Sequence, residues 1–142
     1  MKKCILFLLL ISSSIFAMEG KTMIVYKSPY CGCCTKWIDI MKSKGFEVKE
    51  VITNEMNKIK QESGLQIGQT SCHTAFVDGY VVEGHVNYSA VKKMLKEKPN
   101  IIGITVPGMP IGSPGMEQGD TKQAYNILYV NKDGTTGIYE KH

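Results

Sequence analysis

Three cysteines fall within four residues, at Cys31, Cys33 and Cys34, and a fourth stands at Cys72 beside His73. Cys31 and Cys34 have the Cys-x-x-Cys spacing that either closes a small redox disulfide or sets two thiolates on one metal ion. Cys33 is the informative surplus, because a dithiol redox site has no use for a third sulfur and a metal site does. Four thiolates make a closed tetrahedral zinc site or, being soft, hold Cu(I) ions, which thiolates can also bridge. A disulfide framework is the bland alternative, since four cysteines allow three pairings. Neighbouring Cys33 and Cys34 would make a strained pair, however, and a chain with a full core needs no staples.

Other donor types narrow the choice of metal. Met109 and Met116 follow two Pro-Gly pairs in a segment too broken and polar to need core-filling side chains. Thioether sulfur favours Cu(I) and serves zinc poorly, although methionine is also an adaptable apolar filler. His73 and His85 offer imidazole, which suits Cu(I), Cu(II) and zinc alike. His142, the last residue, is expected to be frayed and solvated, and Trp37 to be core. An iron-sulfur cluster needs the same cysteines but fits an oxidising compartment badly.

The elements around these residues give them their positions. Residues 23–26 form a short apolar run with a β-branched centre, read as a buried strand ended by Ser28-Pro29. Cys34, Trp37, Ile38 and Met41 recur at i, i+3, i+4, i+7, so a helix of about three turns begins at the cysteines and stops at Gly45. Its unpaired N-terminal N–H groups favour thiolate there. Phe46, Val48, Val51 and Ile52 suggest a second strand with one wetter face, and residues 54–63 a polar surface helix closed at Gly64. Residues 74–77 and 80–82 flank Asp78-Gly79 as a hairpin, and Asn87 caps a helix that ends before Pro99. Residues 106–119 hold four glycines, Gly119 included, and three prolines, too many for regular structure. Residues 125–130 and 136–139 then flank a turn at Asn131-Lys132-Asp133-Gly134. The order predicts an α/β fold, a thioredoxin-like mixed sheet flanked by helices, with an added Gly/Pro/Met loop and a C-terminal β-hairpin.

At 142 residues the chain closes one core, so one domain is expected over 18–142. Lys2 and Lys3 precede an apolar run at 5–10 and small residues up to Ala17, the pattern of an export signal over 1–17 cleaved near Ala17. Cys4 would leave with it. The run is too short to span a membrane, and no second long apolar segment follows. The net charge of +4 falls when Lys2 and Lys3 are removed, which gives no argument for nucleic acid.

Four separated motifs, in order, resemble the CopG-type copper-resistance family, formerly catalogued as a domain of unknown function. They are Ser28-Pro29-Tyr30-Cys31-Gly32-Cys33-Cys34-Thr35-Lys36-Trp37, then Ser71-Cys72-His73-Thr74-Ala75, then Gly79-Tyr80-Val81-Val82-Glu83-Gly84-His85-Val86, then residues 106–117 with Met109 and Met116. The resemblance spans nearly the whole mature chain. It implies a periplasmic protein that sequesters copper or cycles it between Cu(I) and Cu(II). It also implies copper on Cys31, Cys33, Cys34 and Cys72, with His73, His85, Met109 and Met116 as additional groups, and other periplasmic copper-handling or efflux proteins as partners. The alternative is a thiol-disulfide oxidoreductase using Cys31 and Cys34. Against it stand the extra thiols and the sequence His73-Thr74 where thioredoxins usually carry a cis-proline.

Overall fold

The computed structural model describes residues 20–142, so the expected export signal at 1–17 lies outside the described residues. The chain runs β1 (Thr22–Lys27), α1 (Gly32–Ser43), β2 (Glu47–Ile52), α2 (Met56–Glu62), β3 (Thr74–Val77), β4 (Tyr80–Glu83), α3 (Tyr88–Glu97), β5 (Gly103–Thr105), β6 (Asn126–Val130) and β7 (Thr136–Lys141). The strands make one mixed sheet in the order β2-β1-β3-β4-β5-β6-β7, parallel at β1/β2 and β4/β5 and antiparallel elsewhere. This is the expected thioredoxin-like α/β plan.

Alternation along the strands divides the core between the two faces of the sheet. Ala75, Val82, Ile104 and Ile127 belong to the main cluster with Trp37, Ile38 and Met41 of α1 and Val91, Met94 and Leu95 of α3. Their neighbours Phe76, Val81 and Val130 face the other way and pack with Leu65, just past α2. The i, i+3, i+4, i+7 set of α1 is buried throughout, and the Asn87 side chain caps α3 by accepting from the Ala90 N–H at 2.8 Å.

Three features depart from the sequence reading. β5 has no counterpart in the sequence pattern, because its three residues carry no period of their own and become a strand only between β4 and β6. β2 is a sheet edge and is exposed at nearly every position rather than on one face, with Ile52 62% exposed. His142 is not frayed: its backbone exchanges two 2.9 Å hydrogen bonds with Tyr125. Its ring stacks on that of Tyr125. Among the described residues, no helix is long and apolar enough to cross a membrane.

Candidate metal centre

Sheet register brings the two cysteine segments together. Tyr26 of β1 lies opposite Thr74 of β3 in antiparallel pairing, so the chain leaving β1 toward the cysteines and the chain entering β3 through Cys72 meet at the same end of the sheet. Cys31 is the N-cap of α1, and Cys33 and Cys34 lie in its first turn. The buried Lys27 helps to seat that turn, donating from Nζ to Thr35 Oγ1 at 2.8 Å. Cys31 and Cys34 are joined as a disulfide, while Cys33 and Cys72 are free and partly buried. Cys33 Sγ is 3.5 Å from Cys31 Sγ and 4.0 Å from Cys72 Sγ. All four sulfurs lie within 4.8 Å of one another.

A second donor set shares Cys72. Glu83 ends β4 opposite Thr74, so the turn that follows carries His85 back to the same corner. His85 Nε2 lies 3.0 Å from Cys72 Sγ, and His73 Nδ1 lies 3.4 Å from it. Both rings are fully buried. The tautomer of His85 follows from its other nitrogen, which is 2.8 Å from the Pro114 carbonyl oxygen. A carbonyl only accepts, so Nδ1 carries the hydrogen and Nε2 presents a lone pair toward Cys72, the arrangement in which a histidine is held ready for a metal. The other ring nitrogen of His73, Nε2, is buried without a hydrogen-bond partner among the described residues. Trp37 backs the pair, its ring 4.5 Å from that of His73 and its indole N–H donating to the Val86 carbonyl at 2.8 Å.

The Gly/Pro/Met loop closes over this corner. Besides the Pro114 carbonyl on His85, Gly108 N–H donates to Thr70 O at 3.1 Å, and the Ser71 hydroxyl donates to the Gly108 carbonyl. Gly115 adopts φ +86°, and a Cβ there would come within 3.0 Å of both Cys33 O and Trp37 N. Only glycine lets the loop lie this close to the start of α1. Gly115→Ala is therefore expected to lower unfolding free energy by about 1–3 kcal/mol and to speed alkylation of Cys72 in metal-free protein. An unchanged rate at unchanged stability would show that the loop packs elsewhere. Met116 is partly buried in the turn after Gly115, and Met109 is 53% exposed.

A protein-family model described as "Protein of unknown function, DUF411" matches residues 69–116, from just before Cys72 to Met116. Comparison with curated proteins finds no match. Two solved structures of copper resistance protein CopG are similar. Its form 2 matches at 36% identity and TM-score 0.83, over 87% of this chain and 99% of that one. Its form 1 matches at 36% identity and TM-score 0.82, over 87% and 98%. The chain belongs to the CopG family.

Electrostatics within this CopG-family corner favour neutral donors in the absence of metal. Burial, reinforced by the neighbouring Cys33, pushes the Cys72 thiol up to about 12. Burial likewise drives His73 well below the ordinary imidazole value, helped by the nearby His85 and Lys60 charges. His85 is lowered by burial too, against the opposing effect of its Pro114 bond. Both imidazoles are thus unprotonated near neutral pH, as ligation requires, while Cys72 holds a proton that a metal would displace. The structure gathers the four sulfurs and both histidines at one corner and keeps the two methionines on the loop. Sequence reasoning missed Glu83 and Lys60, a buried ion pair directly behind Cys72. The available signal was a lone carboxylate closing the apolar run of β4.

Proposed function

We propose that this chain is an exported copper-binding protein of copper resistance, acting in the periplasm as a single domain over 18–142 after cleavage near Ala17. Copper is its cargo. Cys31, Cys33, Cys34 and Cys72 hold it as Cu(I), and His73 and His85 hold it beside Cys72 when imidazole ligands are favoured. Met109 and Met116 serve as soft groups on the covering loop. The observation that carries this reading is the double membership of Cys72, whose sulfur belongs both to the four-cysteine group and to the group with His73 and His85. The two similar structures, both of a copper resistance protein, support the choice of metal.

The disulfide decides which set is on offer. With Cys31 and Cys34 joined, the sulfurs left are Cys33 and Cys72, and the donors become two thiols with two imidazoles. Addition of two electrons and two protons opens the bond and yields four thiols, the softer set that selects Cu(I). That difference is the basis for sequestration in the reduced protein and for cycling between Cu(I) and Cu(II). A second reading, a thiol-disulfide oxidoreductase, is favoured by the disulfide itself with Cys31 partly exposed. Its discriminating property is fast protein-disulfide reduction by metal-free protein.

Anaerobic Cu(I) titration of disulfide-reduced and disulfide-intact protein against a competing chelator tests the proposal. The reduced form should bind more Cu(I) and bind it more tightly. Because Cys72 is protonated below its raised pKa, each thiol proton displaced should strengthen binding by about tenfold per pH unit as pH rises. Micromolar or weaker affinity in the reduced form rejects the copper reading.

A further inference from the structure

Behind the Cys72 corner lies a polar cluster that no ligand set uses. Glu83 is fully buried, and Lys60 of α2 is 7% exposed. The two carboxylate oxygens are both engaged. Oε1 accepts from Lys60 Nζ and from the Ser71 backbone N–H, each at 2.6 Å, and Oε2 accepts from the Thr74 hydroxyl at 2.6 Å. Lys60 Nζ also donates to Thr74 Oγ1 at 3.0 Å. One side chain therefore grips residue 71 and residue 74, the two positions that flank Cys72 and His73. The backbone closes the frame, since Gly84 N–H donates to the His73 carbonyl at 3.0 Å.

We propose that Glu83, held by Lys60, is the positioning residue of the centre, fixing the Ser71–Thr74 corner so that Cys72 Sγ stays within reach of Cys33. A buried ion pair contributes little net stability compared with apolar side chains of the same volume, so stability alone does not account for placing one here. What the pair supplies is direction. A carboxylate with fixed acceptors on two sides of a two-residue segment removes that segment's freedom to swing, and the sulfur and imidazole it carries are placed before any ligand arrives. Apolar replacements fill the space without gripping residue 71 or residue 74.

Phenylarsine oxide tests the geometry independently of copper, because it bridges two thiols that lie close together, forming two As–S bonds with loss of water. With Cys31–Cys34 oxidised, its targets are Cys33 and Cys72. The wild-type chain should capture it. Lys60→Met/Glu83→Leu, which removes both charges together, should remain folded and lose about 100-fold in capture as the chelate is broken. Simple alkylation of each thiol by iodoacetamide should continue. Thr74→Val, a milder cut of the same cluster, should weaken capture in the same direction and serves if the double variant does not fold. In the copper arm, which rests on the proposed function, Cu(I) affinity should fall about 10–100-fold in the double variant. Wild-type capture in folded variants overturns the positioning role. Loss of capture in a chain whose wild type binds no Cu(I) upholds the positioning role and sinks only the copper reading.

Discussion

Cys72→Ser is expected to weaken Cu(I) binding by more than about a hundredfold, the largest effect of any single ligand change. Apparent binding energies for four-ligand structural zinc sites reach about 10–16 kcal/mol, and on that scale one ligand of four accounts for about 3 kcal/mol or more. At about 1.4 kcal/mol per tenfold, that exceeds two decades. The special weight of Cys72 is topological. Cys31, Cys33 and Cys34 sit on one turn of α1, whereas Cys72 alone ties that turn to His73 and His85. Its loss removes a donor from both sets, so neither oxidation state of the protein compensates. His85→Gln should have a smaller effect in the disulfide-reduced protein, because the sulfur set remains. Serine is nearly the size of cysteine at a half-buried position, so the unfolding midpoint should move little. Competition titrations of Cys72→Ser that match wild type would remove the foundation of the copper reading.

How far the fold could be read in the residues depended on whether a signal was local. The face made by Cys34, Trp37, Ile38 and Met41, the Asn87 cap and the Asp78-Gly79 turn each lie within one element, and each appears where its pattern put it. β5 did not, because its identity lies in its neighbours. Gly103 reads as a breaker in isolation, yet a Cβ there would come within 1.9 Å of Val81 O, so glycine is what allows β5 to pair so closely with β4. The same division holds at the candidate metal centre. Cys31, Cys33 and Cys34 are legible from spacing, and Cys72 from its place before a hairpin. The burial of His85 and its tautomer are not, because its orienting partner Pro114 is 29 residues away on an irregular loop. Lys60 gave no signal at all, lying in a helix that reads as polar surface, and its partner Glu83 is 23 residues distant.

Glu83→Leu alone should be the most destabilising conservative-volume change in the chain, at about 3–5 kcal/mol. The reasoning turns on what stays behind. The ammonium of Lys60 sits beneath the sheet corner with two partners, Glu83 Oε1 and Thr74 Oγ1. Leucine removes the charged one, leaving a buried cation beside a single hydroxyl. It also strips the Ser71 N–H and the Thr74 hydroxyl of their acceptor, and each unsatisfied buried group adds its own desolvation penalty. Native domains are stable by only about 5–15 kcal/mol in total, so the unfolding midpoint should fall by about 10 °C or more. Adding Lys60→Met should recover most of that loss, because the uncompensated charge is its chief cause. The two readouts then separate: stability follows the balance of charge and returns in the double variant, whereas the placement of Cys72 follows the carboxylate and does not. A double variant no more stable than Glu83→Leu would mean that the unsatisfied Ser71 and Thr74 donors, rather than the stranded cation, dominate the cost.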